Sequence, residues 1–373
     1  MSFDLEEALR YLVESEGSDL HLKVPSQPMV RRHGGLQPIP QSDRLTPQVM
    51  EGVLEGLLVD PRKREEFERE HEVDLSHSLP GVARFRVNAF RQRGAISAVF
   101  RAIPFSIKTA DELLLPPVVS ELADEERGVI LLTGTTGSGK STTLAAMINR
   151  INTTQSKHIV TIEDPIEYMH RDIESIINQR EVGEDTISFG RALRRVLRQD
   201  PDVILVGEMR DEETVRTVLT AAETGHLVLS TVHTVDASET VNRIIDFFSE
   251  GEQRQARAML AGTLKGVISQ RLVPTPDGEG RVATCEVLRM TGRVKDMILN
   301  PEETGRLPEV IAEGAYYGMQ TFDQALLAHM QNGRITMETA LRYATHPHDF
   351  KLLVSSDGQR ATSIESVMAT EAG

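Results

Sequence analysis

The sequence has very little cysteine and no long apolar run. Cys285 is the single cysteine among 373 residues, which excludes an internal disulfide and a four-cysteine zinc site. A chain this poor in thiols is typical of a reducing compartment. The first residues are acidic, and no apolar stretch approaches the roughly 18 residues that a membrane-spanning helix needs. We therefore expect a cytoplasmic protein that does not insert into a membrane.

Positive charge is also in short supply. The chain has 41 lysines and arginines against 56 acidic residues, which gives a formal net charge of −15. This balance argues against a protein whose main partner is nucleic acid. Hydrophobic residues make up 39% of the chain, so it is globular rather than disordered, and its length allows two or three domains.

Three prolines, Pro104, Pro116 and Pro117, punctuate residues 104–120, which we interpret as a linker between two domains. Residues 1–103 mix helical and strand patterns, with a hairpin around Gly34-Gly35, and this mixture predicts a small α+β domain. The second domain is predicted at 121–353. The remaining residues are rich in Ser, Thr, Ala and Glu, so 354–373 is expected to be a mobile tail.

The second domain alternates short apolar strands with helices. Almost all residues of the strands are apolar, which predicts a mostly parallel sheet covered on both faces and hence an α/β fold. From residue 241 onward the pattern predicts mainly helices, one of them from Arg254 to Leu272, and one more strand at Val282–Val287. The strands predicted before this point are His158–Glu163, Val203–Val206 and Leu227–Val232.

A strand, a glycine-rich loop and a helix follow one another between Gly128 and Met147. They contain the pattern G-x-x-x-x-G-K-[ST]. In such a loop the glycines let backbone N–H groups point at phosphate oxygens, Lys140 reaches the β- and γ-phosphates, and the Ser141 hydroxyl binds Mg²⁺. The sequence therefore predicts an ATP or GTP site with Mg²⁺. The predicted nucleotide contacts are Gly134, Thr135, Thr136, Gly137, Ser138, Gly139, Lys140, Ser141 and Thr142.

Two of the predicted strands end in acidic residues. Glu208 follows Val203–Val206, and Glu163 and Asp164 end the strand that begins at His158. Because α/β sheets bind ligands at the carboxyl ends of their strands, we expect these acids to meet the nucleotide. Glu208 would hold Mg²⁺, partly through water, and either Glu208 or Glu163 would be the general base. Turn or helix-capping roles are the alternative reading of the same acids.

Histidines and arginines supply further candidates. His226 and His233 bracket Leu227–Val232; each can be structural, but their position in a phosphate-loop domain predicts catalytic sensors of the γ-phosphate. Arg191, Arg194, Arg195 and Arg198 share one predicted helix face, either solvated or a contact surface. Arginines on the strands of the first domain either keep them soluble or supply charge to a phosphate bound by a neighbouring subunit. These arginine-finger candidates are Arg84, Arg86, Arg91 and Arg101.

Taken in order, three segments resemble the secretion ATPase family and, within it, the type IV pilus retraction ATPases of twitching motility. They are Thr161–Glu167, Asp200–Asp211 and Thr224–Thr234. The resemblance implies a homo-hexameric ring whose subunits have a PAS-like α+β N-terminal domain and a RecA-like P-loop ATPase domain. It further implies ATP bound between these domains, N-domain arginines near the nucleotide, and hydrolysis coupled to pilus retraction. The implied partner is the inner-membrane platform protein of the pilus, reached from the cytoplasmic face.

Two features bear on the branch of this family. Pilus assembly and type II secretion ATPases generally carry a four-cysteine metal insertion, which a single cysteine disfavours. Against retraction stands Gly292–Arg306, where retraction ATPases read roughly Ala-Ile-Arg-Asn-Leu-Ile-Arg-Glu-Gly-Lys and this chain has Pro301, Glu302 and Glu303 in place of the basic end. A motor for assembly or secretion therefore stays an alternative.

Two further alternatives come from other classes of protein. The acidic net charge argues against a RecA-like nucleic-acid translocase. The presence of both Glu163 and Glu208 argues against a nucleotide-gated scaffold that does not hydrolyse ATP.

Overall fold

The computed structural model describes residues 3–32, 34–103, 106–278 and 280–355. The chain forms two compact units. The first extends to Ser106 and includes Ile166–His170, and the second comprises Ile107–Pro165 and the residues from Arg171 onward. Each unit has its own sheet and its own hydrophobic core.

The described part of the first unit is an antiparallel sheet packed against helices. Phe67, Phe85 and Phe100 are fully buried in its core. The helices are α1 (Leu5–Glu14), α2 (Pro47–Leu57) and α3 (Pro61–Glu70). The strands are β1 (Asp19–Lys23), β2 (Met29–Arg32), β3 (Gly35–Pro38), β4 (Glu72–Leu79), β5 (Ala83–Gln92) and β6 (Ala95–Ile103), in the order β3-β2-β1-β6-β5-β4.

Local sequence signals explain where the helices of this unit begin. Asp4, Thr46 and Asp60 each accept a hydrogen bond from a backbone N–H in the first turn of the helix that follows. Pro47 and Pro61 open α2 and α3, because the first helical position has no intrahelical N–H bond to lose. The predicted hairpin around Gly34-Gly35 is confirmed by the antiparallel pairing of β2 with β3. The sequence did not predict α3 or β4.

A seven-stranded, mostly parallel sheet forms the centre of the described second unit, as predicted. Only the β12–β13 pair is antiparallel among its described pairings. The order is β13-β12-β7-β11-β10-β8-β9. The strands are β7 (Gly128–Thr133), β8 (His158–Glu163), β9 (Ile176–Glu181), β10 (Val203–Val206), β11 (Leu227–Val232), β12 (Leu264–Pro274) and β13 (Arg281–Arg289).

Helices cover this sheet on both faces, so neighbouring residues of one strand enter different cores. Val203 and Leu227 pack in one core, whereas the next residues, Ile204 and Val228, pack in the other. The helices are α4 (Pro117–Ala123), α5 (Lys140–Thr154), α6 (Phe189–Val196), α7 (Glu212–Glu223), α8 (Ala237–Asp246), α9 (Gln253–Thr263), α10 (Gly292–Leu299), α11 (Leu307–Glu313), α12 (Phe322–Gln331) and α13 (Met337–Tyr343).

The predicted helix from Arg254 to Leu272 is wrong over its second half. The helix α9 ends at Thr263, and the chain continues directly as β12. This strand pairs with β7 on one side and with β13 on the other, and most of it is buried. A strand buried on both faces lacks the polar alternation that distinguishes strands from helices in a sequence. The edge strand β9 was not predicted either.

Helical structure extends beyond both predicted boundaries of the second domain. Residues 104–120, interpreted above as a linker, include the start of α4, whose Val118 and Val119 are buried in the second unit. Residues 347–355 are helical, and Phe350 packs with α12 and α13 against β12 and β13. The rest of the predicted mobile tail, 356–373, lies outside the described residues.

The lone cysteine is part of the core of the second unit. Cys285 lies on β13, and burial raises the pKa of its thiol to about 12. Throughout the described ranges, we find no helix with both the length and the apolar character that crossing a bilayer requires.

Candidate nucleotide-binding site

Parallel pairing brings the carboxyl ends of four strands to one edge of the second sheet. Along this edge, β7 leads into residues 134–139, which we call the phosphate loop, and β11 leads into His233. Next come Glu208, just beyond β10, and Glu163, the last residue of β8. The Gly207 N–H donates to the carbonyl of Ile162 at 2.8 Å, which extends the pairing of β10 with β8 up to Glu208.

The glycines of the phosphate loop are required by backbone conformation and, at two positions, by space. Gly134 and Gly139 have φ values of 138° and 89°. A Cβ on Gly134 would lie 2.4 Å from the carbonyl oxygen of Gln270, and one on Gly139 would lie 2.7 Å from the Nε2 atom of the same residue. Gly137 also has a positive φ, 78°, but a Cβ there would meet nothing within 4 Å.

Lys140 and Ser138 give this loop the chemistry that a phosphate needs. Lys140 opens α5 and is 9% exposed, and its ammonium donates to the carbonyls of Gly134 at 2.8 Å and Thr135 at 3.0 Å. The Ser138 hydroxyl is buried and has no hydrogen-bond partner within the described residues. A buried cation and an unsatisfied hydroxyl in one loop fit the oxygens of a nucleotide phosphate.

The other predicted contacts of the nucleotide surround these two residues. Thr135, Thr136 and Gly137 form the exposed tip of the loop. Ser141 and Thr142 lie half-buried in the first turn of α5.

Glu208 is buried and contacts two exposed basic side chains. The carboxylate side chain is 11% exposed; its Oε1 atom contacts the guanidinium of Arg210, and its Oε2 atom lies 3.2 Å from Nε2 of His233. The side chains of Arg210 and His233 are 66% and 53% exposed. The structure therefore joins two of the predicted residues, Glu208 and His233, and adds Arg210.

Glu163 accepts hydrogen bonds from neutral donors. Its Oε1 atom accepts from the hydroxyl of Thr161 at 2.6 Å and from the amide of Gln179 at 3.2 Å. Asp164, the next residue, is exposed. Glu208 therefore contacts Arg210 and His233, and Glu163 accepts from a hydroxyl and an amide.

The structure does not bring His226 to this edge. His226 precedes β11, and its carbonyl accepts a hydrogen bond from the N–H of Gly128, at the amino end of β7, at 3.0 Å. Its Nδ1 atom lies 2.9 Å from the carbonyl of Ala221 in α7. A strand the length of β11 spans roughly 20 Å, so the two histidines lie at opposite edges of the sheet. His226 therefore joins α7 to the strands as a structural residue.

The four arginine-finger candidates lie on β5 and β6 of the first unit. Arg84 and Arg86 alternate with buried residues along β5 and therefore share one face, as predicted. Arg86 is exposed and lies directly opposite Arg101 of β6. Arg101 donates through Nε to the buried carboxylate of Asp19 at 2.8 Å.

Two of these arginines have partners that account for their positions. Burial alone would raise the pKa of Asp19, but hydrogen bonds from Ser18 and Arg101 outweigh that effect and hold the pKa below its ordinary value. Arg91 lies over the ring of Phe67, 5.2 Å from its centroid, and 3.7 Å from the carboxylate of Glu68.

The second arginine cluster follows an exposed helix face. Arg191, Arg194 and Arg195 of α6 are exposed, while the residues between them pack in the core. Arg198 follows just after the helix. Arg194 forms an ion pair with Glu213.

Sequence reasoning missed two residues that contact the predicted ones. Arg210 follows Glu208 by two positions, and the acid-rich turn after β10 gave no reason to single it out. Gln270 is 2% exposed and hydrogen-bonded to the loop and to α5. The signal for Gln270 was three polar residues, Ser269-Gln270-Arg271, between apolar residues, but the sequence predicted a helix there and not a strand beside the loop.

The described residues contain no cluster of three or more histidine, cysteine or acidic side chains that could bind a metal without help. Mg²⁺ is usually held by one or two protein oxygens together with water and substrate phosphates. A hydroxyl at Ser141 and a carboxylate at Glu208 fit this pattern.

Comparisons with known proteins agree over most of the chain. Residues 113–342 match the family described as Type II/IV secretion system protein. The chain is 48% identical over 317 residues to a twitching motility protein of Neisseria gonorrhoeae, covering 85% of this chain and 84% of that protein. It is 44% identical over 347 residues to the type IV pilus retraction ATPase PilT of Pseudomonas aeruginosa, covering 93% and 100%.

The fold is also similar to a solved structure. The crystal structure of the pilus retraction motor PilT with bound ADP superimposes with a TM-score of 0.83 at 42% identity. The similarity covers 93% of this chain and 98% of that one.

Proposed function

Because the chain belongs to the family of type II/IV secretion system proteins, we propose that it is an ATP-hydrolysing motor that powers retraction of a type IV pilus. The observation that carries the proposal is the sheet edge that gathers the phosphate loop, His233, Glu208 and Glu163 in a chain similar to a retraction ATPase over 93% of its length. ATP is the nucleotide that this function uses, with Mg²⁺ as its metal.

The phosphate loop and the start of α5 bind the nucleotide in this proposal. Lys140 moves its ammonium from the loop carbonyls to the β- and γ-phosphates, and Ser138 offers its unsatisfied hydroxyl. Ser141 and Glu208 hold Mg²⁺, which neutralises charge on the phosphates when it is bound.

We assign the two acids to different tasks. Glu208 contacts Arg210 and His233, and in this proposal it would hold the metal beside a sensor of the γ-phosphate. Glu163 orients the attacking water and takes its proton.

We further propose the quaternary organisation that the resemblance implies. Six copies form a ring, in which residues 1–103 are a PAS-like domain, 104–120 connect, and 121–353 are a RecA-like ATPase domain. The ring acts at the cytoplasmic face of the inner membrane on the platform protein of the pilus, and nucleic acid is not a partner. An arginine of the first domain, from Arg84 to Arg101, supplies charge at the nucleotide of a neighbouring subunit.

A motor for pilus assembly or secretion is the second candidate, and the acidic segment after α10 favours it. Glu302 is exposed, and Arg306 is bonded to both Glu303 and Glu309, at 3.0 and 3.1 Å, so little uncompensated positive charge remains there. The segment is held at Thr304, whose hydroxyl accepts a hydrogen bond from the buried Arg257 at 3.2 Å.

Two strains test the function. One lacks the protein, and the other carries the Lys140→Ala variant in its place. For a retraction motor, both strains should carry abundant surface pili and fail to twitch, and purified Lys140→Ala should lose ATPase activity by a factor of about 10²–10³. Lys157→Ala, a change at a half-buried lysine outside the loop, is the matched control. Cells without pili would identify an assembly motor, and near-normal turnover of Lys140→Ala would contradict the nucleotide site.

A further inference from the structure

We propose that Gln270 is a positioning residue of the nucleotide site, which holds the phosphate loop in its binding conformation through both ends of its carboxamide. The inference rests on the proposed ATPase function for its consequence, but its contacts stand independently of that function. Gln270 lies on β12, in the part of the chain where the sequence predicted a helix.

The carboxamide of Gln270 makes two hydrogen bonds to the segment that contains the loop. Its Nε2 atom donates to the carbonyl of Ser138 at 2.8 Å, near the end of the loop. Its Oε1 atom accepts from the hydroxyl of Thr143 at 2.8 Å, in the first turn of α5. Both partners and Gln270 itself are buried, so water does not compete for these bonds.

The loop also lies directly against Gln270 at its two fixed glycines. The backbone oxygen of Gln270 would be 2.4 Å from a Cβ on Gly134, and its Nε2 atom 2.7 Å from a Cβ on Gly139. Both ends of the loop therefore contact the same residue, and its intervening tip is exposed. Gln270 therefore lies beneath the loop and contacts both of its ends.

Contacts on both sides of Gln270 hold β12 in place. Ser269 accepts a hydrogen bond from the hydroxyl of Thr133, the last residue of β7, at 2.9 Å. Arg271 lies 3.8 Å from the ring centroid of Phe322 and donates to the carbonyl of Tyr343 at 3.2 Å. A residue that positions a loop must itself be held in place. The contacts of Ser269 and Arg271 hold Gln270 in this way.

The carboxamide makes both bonds because it offers a donor and an acceptor side by side. In Gln270→Met, a change that keeps the length of the side chain, neither bond to the loop segment can form. We expect the loop to leave its present conformation more often while the sheet stays intact.

Gln270→Met is compared with Gln320→Met, whose amide likewise donates to a backbone carbonyl, that of Cys285 at 2.8 Å, but not to the loop. Hydrogen exchange of the amides at 134–139 is measured on the full-length chain without added nucleotide, and binding is measured with a fluorescent ATP analogue. We expect Gln270→Met to speed exchange and raise Kd by about tenfold, with a smaller change in kcat, as two lost hydrogen bonds imply. The control should change none of these quantities.

A second variant keeps the test decisive if Gln270→Met does not fold. Thr143→Ala removes one of the two bonds and should shift loop exchange and Kd in the same direction by about threefold. Unchanged loop exchange and unchanged Kd in the folded variants would overturn the proposal. If the wild-type chain binds no nucleotide, the proposed function fails, and loop exchange alone then decides the role of Gln270.

Discussion

At the scale of single residues, the two glutamates at the candidate site differ in the donors that surround them. Glu208 contacts Arg210 and His233, whereas Glu163 accepts from Thr161 and Gln179. In the proposed function Glu208 holds the metal and Glu163 takes the proton of the attacking water.

We expect Glu163→Gln to bind Mg²⁺ and ATP normally but to slow hydrolysis by a factor of about 10² or more, because the variant cannot take a proton from water. Glu208→Gln should instead require more Mg²⁺ for half-maximal rate. Single-turnover rates at several Mg²⁺ concentrations check both statements. A slower chemical step in Glu208→Gln than in Glu163→Gln, at saturating Mg²⁺, would reverse the assignment.

The buried Glu286 makes the stability of the fold depend on pH. Glu286 of β13 accepts a hydrogen bond from the N–H of Ala237, at the start of α8, at 2.9 Å. Burial raises its pKa from 4.5 to about 7; Asp236 and Asp323 act in the same direction, whereas the hydrogen bond from Ala237 and the charge of Arg271 oppose the rise.

Because the pKa of Glu286 is higher in the folded state, the folded chain keeps this proton where the unfolded chain has lost it. Its contribution to stability is therefore full below about pH 4.5 and is lost as the pH rises through about 7. Relative to the wild type, Glu286→Gln should gain free energy of unfolding across this window, by at most about 3 kcal/mol. Urea unfolding at several pH values measures the difference, with the exposed Glu338→Gln as control. A difference that does not vary with pH would contradict this expectation.

A site residue could be predicted from the sequence where its type and spacing fit only one chemical role. It could not be predicted where the same residue type serves several roles. The spacing of Gly134, Gly139 and Lys140 is demanded by a phosphate loop, and the structure places them in such a loop. His226 was included because it precedes the same strand that His233 follows, and only the direction of the parallel strands separates the two. The support from Gln270 depends on a strand 127 residues away from its partner Thr143, which no local pattern reports.

At the scale of elements, the phosphate loop depends on the strand beside it. Gly134 and Gly137 both have positive φ, but only Gly134 lies against β12. The φ of Gly134 is 138°, farther from the left-handed conformation that other residues can adopt than the 78° of Gly137, so conformation and contact both disfavour a side chain more strongly at Gly134.

Gly134→Ala should therefore impair the loop far more than Gly137→Ala. Alanine at Gly137 strains the backbone by about 1 kcal/mol, whereas at Gly134 the strain is larger and the Cβ also forces the loop away from the carbonyl of Gln270. We expect ATP affinity to fall at least about tenfold in Gly134→Ala and only about threefold or less in Gly137→Ala. Calorimetric titration with ATP checks the order, and equal losses would show that the collision is relieved without effect.

Strands and helices could be predicted where a single sequence pattern marked them. The strands β8, β10 and β11 have the predicted bounds, because each is a short apolar run between turn residues. The junction of α9 and β12 was missed although Gly262 and Gly266 flank it, because the chain passes from helix to strand at Thr263-Leu264 with no intervening loop. The pairing with β7 and β13 decides the conformation there.

At the scale of the whole molecule, the proposed ring requires an arginine to act between subunits. Of the candidates on β5 and β6, Arg84 is half-buried, Arg101 is exposed but bonded to Asp19, and Arg91 lies over Phe67, whereas Arg86 is exposed beside Arg101. These contacts favour Arg86 as the arginine that reaches a phosphate.

Arg86→Ala should lower kcat by a factor of about 10³ or more, which is the contribution of an arginine finger. Mixing it with Lys140→Ala subunits should restore part of the activity, because some interfaces then combine an intact arginine with an intact loop. Arg10→Ala, on the exposed side of α1, is the control and should retain full activity. Absence of recovery in verified mixed rings would place the arginine in the same subunit as its loop.

Because Cys285 is buried, cysteines introduced elsewhere in this chain can be labelled at specific sites. A thiol whose pKa is about 12 stays protonated at neutral pH, and the thiolate is the species that reacts with maleimides and iodoacetamides. A cysteine introduced on an exposed strand or helix would therefore be modified selectively, without first replacing the native one. Pairs of spin labels or fluorophores placed in this way can report distances between neighbouring copies of the chain during turnover.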